Sequence, residues 1–181
     1  WQEFIDLTLS LGAHAELKDD VLTLQGPLKD SKPVIVDCTR TTQFLTAFEL
    51  VFGGERVVQG VNLTSSQSYV SMTKEMMDQF RDKSEYTIPR DWSSASYPLT
   101  FSALNGGALF PGLKLDALQA DAKLAQLLLQ HGMLKESAEG IEIYPFTGEF
   151  STEMDVSDCL DLVPTLVYFL SHIPGTHTLR G

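Results

Sequence analysis

Apolar residues at positions 4, 5, 7, 9 and 11 recur at helical spacing with no capping residue before them, so the chain opens inside a helix. Leu11-Gly12-Ala13 breaks that pattern, and Lys18-Asp19-Asp20 supplies a turn for a hairpin within the stretch Phe4 to Leu24. Three later segments share one plan: a short strand ending in aspartate, a Ser/Thr-rich turn, an apolar helix, a Gly or Pro break, and another strand. The first is Val34 to Leu45, followed by Gly53-Gly54 and a strand over Arg56 to Val61. The second runs Tyr86 to Tyr97, followed by Gly106-Gly107 and a strand near Leu113. The third begins at Met154-Asp155, enters a helix over Val163 to Leu170 and breaks at Pro174-Gly175.

Between these segments a second helix and a hairpin recur, as in Lys123 to His131 followed by Leu134 to Tyr144. Each repeat is then roughly βαβαββ, two of them complete and one truncated at each end. The fold class is α+β, with mixed sheets covered by helices. The closing segment Thr176 to Gly181 reads as a strand, and both ends suggest a piece of something longer.

Composition narrows the function classes. A chain of 181 residues with 43% apolar content can bury a core. Its 24 acidic against 13 basic residues, net −11, oppose binding to nucleic acid or to an anionic membrane surface. The longest nearly apolar run, Leu162 to Leu170, is far short of the roughly 20 residues that span a bilayer. No signal peptide opens the chain, because Glu3 and Asp6 interrupt the first apolar stretch. Two cysteines, Cys38 and Cys159, make no disulfide framework, so reduced thiols in a cytoplasm are expected.

The chemistry gathers at helix starts, where unpaired N–H groups and the positive end of the helix dipole favour anions. Thr41, Thr42 and Gln43 can donate to phosphate oxygens there, or Thr41 or Thr42 can simply cap the helix. Ser65-Ser66-Gln67-Ser68-Tyr69 repeats the arrangement before a helix over Met72 to Phe80, and Asp91 to Tyr97 is a third such start, with Pro98 near the first turn. Asp155, Asp158 and Asp161 are spaced to share one face of a helical first turn, and Asp161 is the better general-base candidate. His14, His131, His172 and His177 have no ligand spacing, so no metal is expected. Cys38 reads as a small buried residue, and Met72, Met76, Met77 and Phe80 as a core stripe.

Four ordered motifs over residues 36 to 180 resemble those of the 3-phosphoshikimate 1-carboxyvinyltransferases, or EPSP synthases, of the enolpyruvyl transferase family. They are Val36-Asp37-Cys38-Thr39-Arg40-Thr41-Thr42-Gln43-Phe44-Leu45, Ser66-Gln67-Ser68-Tyr69, Asp91 to Tyr97, and Asp161-Leu162-Val163-Pro164-Thr165-Leu166 with Gly175 to Arg180. The resemblance implies two similar domains, each of three βαβαββ units. Residues 1–90 would belong to the first, shikimate-phosphate-binding domain and 91–181 to the second, with a crossover near 85–91. It implies transfer of the enolpyruvyl group of phosphoenolpyruvate to the 5-hydroxyl of shikimate 3-phosphate, with no metal or organic cofactor. Thr41, Thr42 and Ser66 look like the hydroxyls that hold the 3-phosphate, Gln43 like the amide across the substrate, and Tyr69 like a wall of the pocket. Asp161 resembles the carboxylate that binds the ring hydroxyls and helps take the 5-hydroxyl proton.

Several positions depart from the family pattern. Thr41 and Thr42 replace the usual serines, Arg40 puts a cation where an uncharged residue is common, and Gln67-Ser68 removes a basic residue and a proline. The basic motifs that flank this region in the family, and hold both anionic substrates, have no counterpart. The expected identity is therefore a central fragment, inactive alone, of a monomeric cytoplasmic enzyme, and able to self-associate. The alternative is a noncatalytic module of the same fold that binds a sugar phosphate or a protein partner. The UDP-N-acetylglucosamine enolpyruvyl transferases fit less well, because Thr-Thr-Gln and Ser-x-x-Tyr suit shikimate phosphate.

Overall fold

In the computed structural model, which describes residues 1–29, 32–116 and 118–181, the chain divides into two units, Trp1–Thr64 and Ser65–Gly181. The first holds α1 (Gln2–Ser10), the hairpin β1 (His14–Lys18) and β2 (Val21–Gln25), and a β3 (Val34–Asp37), α2 (Gln43–Phe52), β4 (Val58–Val61) crossover. Asp19 and Asp20 close the hairpin with φ of 49° and 61°, the left-handed pair that a two-residue turn needs to match the strand twist. β3 and β4 pair in parallel from Val34 opposite Val58 to Asp37 opposite Val61. Val34 and Val36 point inward from β3 and meet Leu45, Phe48 and Phe52 of α2, all buried. Phe4 of α1 extends this core, its ring 5.2 Å from Phe44 and 5.8 Å from Phe48. Gly60 on β4 leaves room for the crossover helix, because a Cβ there would stand 2.6 Å from Leu45.

The second unit begins with α3 (Gln67–Arg81). It continues through α4 (Trp92–Asn105), β5 (Ala108–Pro111), α5 (Lys123–Gln130), β6 (Leu134–Glu136) and β7 (Gly140–Ile143). β8 (Thr152–Asp155), α6 (Val163–Leu170) and β9 (His177–Arg180) close it. Short 3₁₀ turns, Ala120–Ala122 and Leu160–Leu162, lead into α5 and α6. β7 lies between β5 and β6, antiparallel to both, while β8 and β9 pair in parallel around α6. Trp92 and Leu99 of α4, Leu124 and Leu128 of α5, Ile141 of β7, and Leu166 and Phe169 of α6 form one core cluster. Each such side chain contributes about 1.5–3 kcal/mol by leaving water. Where α4 meets α6, the hydroxyls of Ser96 and Thr165 pair at 3.0 Å, so the buried polar atoms satisfy each other.

The α+β class and the strand–helix alternation are as expected, with four local differences. The segment 82–91 contains no regular element, so the expected strand ending in Asp91 is absent and the first repeat stops at α3 without a hairpin. Ten residues are too few for a hairpin and a further strand, and Pro89 has no N–H to offer a ladder; Ile88 is 79% exposed. Pro98 lies inside α4, beyond its first turn. It leaves the Ser94 carbonyl without its usual amide, and burial of Trp92 and Leu99 on either side holds the helix together. In α3 the stripe of Met72, Met76 and Met77 is half-buried and Phe80 is 47% exposed, so Val70 is that helix's one buried residue. Finally, the strand expected near Leu113 is β5, which ends at Pro111.

Candidate functional site

β3 ends at Asp37, whose carboxylate accepts from the amide and hydroxyl of Thr39 at 2.9 and 2.6 Å and from Asn62 Nδ2 at 3.1 Å. The Thr39 hydroxyl and amide and the Asn62 amide hold this carboxyl below its ordinary range. The chain is thereby turned into α2, where Thr41, Thr42 and Gln43 stand together. Thr41 Oγ1 accepts from the Gln43 amide at 3.1 Å. Thr42 is the N-cap residue but makes no side-chain cap bond; its carbonyl accepts from the Thr46 amide at 3.1 Å. Capping thus falls to Thr41, and the buried Thr42 keeps its hydroxyl out of that role.

In the second unit, Ser66 precedes α3 with φ of 59° and donates its amide to the Ser157 carbonyl at 3.3 Å. The start of α3 is already engaged by a carboxylate: Asp158 Oδ1 accepts from the Gln67 amide at 3.1 Å, and the Asp158 carbonyl accepts from Ser68 Oγ at 2.9 Å. In the same first turn, Tyr69 Oη donates to Asp161 Oδ2 at 3.5 Å. Burial, then the charges of Asp121 and Asp161, push the Tyr69 phenol up to about 12, so the hydroxyl remains a donor at every physiological pH.

The three expected acids do not share a helix face. Asp155 ends β8 and accepts from the Ser157 amide and hydroxyl at 2.9 and 2.6 Å, Asp158 lies in the following turn, and Asp161 lies in the 3₁₀ turn before α6. The spacing of three assumed a helix that starts at Val163, eight residues after Asp155. Each acid closes a different turn, and only Asp161 faces Tyr69.

Asp121, which carries no sequence signal beyond an acid at a helix start, stands in this same neighbourhood. It is 5% exposed, and its Oδ1 is buried with no hydrogen-bond partner among the described residues. Burial and the Asp161 charge raise its carboxyl, against a hydrogen bond from Ser93. Its 3₁₀ turn is fixed by Gln119, which accepts from the Trp92 amide at 2.8 Å and donates to the Arg90 carbonyl and Asp116 Oδ2, each at 2.8 Å. A cleft of about 410 Å³ opens nearby, lined by Ser68, Asp116, Gln119, Lys123, Asp158 and Cys159 among others. Lys123 is the one cation among its described lining residues, and its ammonium is engaged by the Asp155 carbonyl.

Cys38 and Cys159 are both buried, and burial raises both thiols, which makes them packing residues rather than nucleophiles. Among the described residues no three His, Cys, Asp or Glu side chains gather to hold a metal ion. No described helix is long and apolar enough to cross a membrane.

No family model matches the chain. Its sequence is 29% identical over 173 residues to the 3-phosphoshikimate 1-carboxyvinyltransferase of Syntrophobacter fumaroxidans, covering 82% of this chain and 41% of that protein. It is 30% identical over 183 residues to the enzyme of the same name from Methanothrix thermoacetophila, covering 88% and 43%. The chain spans less than half the length of these curated relatives. Among solved structures it is similar to the enolpyruvyl transferase NikO from Streptomyces tendae, with a TM-score of 0.62, 14% identity, and coverage of 98% of this chain and 51% of that one. The chain is thus a homologue of 3-phosphoshikimate 1-carboxyvinyltransferases with the enolpyruvyl transferase fold.

Proposed function

We propose that this chain is the central part of a cytoplasmic, monomeric 3-phosphoshikimate 1-carboxyvinyltransferase, holding part of the shikimate 3-phosphate site and inactive alone. Residues up to about 90 belong in this reading to one domain of the parent enzyme and those from Asp91 to the other, with 85–91 as the crossover. The observation that carries the reading is the Tyr69 hydroxyl beside the Asp161 carboxylate, two residues from separate motifs 92 positions apart.

The roles follow from the chemistry of the groups. The hydroxyls of Thr41, Thr42 and Ser66 at helix starts are neutral donors suited to the 3-phosphate. Gln43, exposed at the first position of α2, offers an amide to the substrate. Tyr69 walls the pocket and, as a permanent donor, orients Asp161. Asp161 accepts the 5-hydroxyl proton while that oxygen bonds to C2 of the enolpyruvyl group and a proton adds to C3. Loss of the C3 proton and of phosphate from the tetrahedral adduct then completes the transfer.

None of Thr41, Thr42, Gln43, Ser66, Tyr69 and Asp161 is cationic, so in this reading the positive charge for two anionic substrates is supplied by other residues of the parent enzyme. Asp161→Ala in the complete enzyme tests the proton-acceptor role: turnover falls by about 10²–10⁴-fold, and near-normal turnover removes Asp161 from the chemistry.

A further inference from the structure

The loop between β3 and α2 carries one charged side chain, and the site roles leave it unused. Arg40 is the only lysine or arginine between Pro33 and Glu55. Its guanidinium is 75% exposed and stands 4.0 Å from Glu3 Oε1, itself half exposed, at the outer limit of an ion pair. A pair this long and this wet contributes little, so Glu3 scarcely holds Arg40 against a competing anion. Glu3 belongs to α1, whose Phe4 packs on Phe44 in the first turn of α2 at 5.2 Å, which sets the pair beside the start of that helix.

That start is open. Thr41 Oγ1 caps the Gln43 amide, while Thr42, the N-cap residue, makes no side-chain cap bond. Thr42 is 8% exposed, yet its hydroxyl has no hydrogen-bond partner among the described residues and is not enclosed, so it opens on the helix start. Unpaired amides and this hydroxyl suit an anion. Two carboxylates oppose one: Glu3, and Asp37, which Thr39 and Asn62 hold at the end of β3. A phosphate dianion there therefore needs a cation beside it. The next cation along the chain, Arg56, stacks on Phe52 at the far end of α2, about 15 Å along the helix axis.

We propose that Arg40 is a phosphate-binding residue at the start of α2, exchanging Glu3 for the oxygens of a phosphate monoester that Thr42 and the amides of the first turn also hold. A guanidinium offers two parallel N–H donors to two phosphate oxygens, an engagement that Glu3 at 4.0 Å does not provide. The proposal rests on the reading of Thr41 and Thr42 as phosphate donors and adds a cation to it.

The test is a titration of inorganic phosphate into the full chain, followed by the amide resonances of Gln43 and Phe44 and the Nε–H resonance of Arg40. In the wild type all three move together. Arg40→Met weakens binding by about tenfold, Arg40→Lys recovers part of the affinity, and Glu3→Gln, which frees the guanidinium and removes a like charge, tightens it. Both side chains are exposed, so neither substitution opens the core. If the Gln43 and Phe44 amides stay still in the wild type, the phosphate reading of α2 fails and this proposal with it. If they respond and Arg40→Met binds as tightly as the wild type, Arg40 alone is excluded.

Discussion

Tyr69 Oη and Asp161 Oδ2 stand 3.5 Å apart, beyond the roughly 2.5–3.0 Å of an ordinary O–H···O bond, across 92 positions of sequence. The phenol lies in the first turn of α3 and the carboxylate before α6, and the turn of Asp158 fastens the start of α3 beside them.

Burial and the two nearby carboxylates delay ionisation of Tyr69 to about 12. In an ultraviolet pH titration, the difference between wild type and Tyr69→Phe therefore emerges only near pH 12, whereas an ordinary tyrosine is half ionised near pH 10. The raised phenol contributes stability that is complete below pH 10 and is lost as pH rises from there through 12. A difference spectrum centred on pH 10 places Tyr69 in water, away from Asp161.

Asp158 competes with any anion for the start of α3. Asp158→Ala releases the Gln67 amide and costs about 0.5–2 kcal/mol of stability, the ordinary range for a lost cap. It also removes a negative charge from beside Ser66. Inorganic phosphate, followed by amide chemical shifts of Ser66 to Ser68, binds the variant more tightly than the wild type; equal or weaker binding shows that this helix start is not an anion site.

His131 stacks on Phe150 with ring centroids 3.7 Å apart and an interplanar angle of 15°. Its Nε2 is buried without a partner among the described residues, and burial lowers its pKa. The unfolded chain binds this proton more tightly, so stability is full above pH 6.5 and is lost as pH falls from there through the lower folded value. His131→Phe reduces that loss in urea denaturation compared between pH 7.5 and pH 5; an unchanged loss assigns the acid sensitivity elsewhere.

Gly140 pairs with Pro111 in the β5–β7 ladder at φ of 149°, and a Cβ there would enter the Phe110 carbonyl and come within 2.9 Å of the Gly112 amide. Because those atoms are backbone, neither can swing aside. Gly140→Ala lowers the stability of the second unit by about 1–3 kcal/mol in chemical denaturation, and a neutral effect contradicts the register of this sheet.

Local rules made much of this fold legible in the sequence. α6 runs over Val163–Leu170 as its apolar run required, the Asp19-Asp20 turn closes a hairpin, and Asp91 caps α4 through the amides of Ser93 and Ser94. Where tertiary context decides, the sequence misled. Pro98 reads as a helix start, yet buried neighbours carry α4 through it. Asp155, Asp158 and Asp161 read as one face because spacing alone does not reveal that β8 ends at the first of them. Asp121 is invisible for a related reason: an acid at a helix start is ordinarily exposed, and only packing of its turn against α4 makes it otherwise.

Titration calorimetry of shikimate 3-phosphate into this chain, with Thr42→Val and Ser66→Ala as controls, bears most directly on the phosphate-site reading. A binding heat in the wild type that is lost or markedly weakened in both variants agrees with phosphate held by those hydroxyls. No binding by the wild type, or an affinity unchanged in both variants, contradicts it.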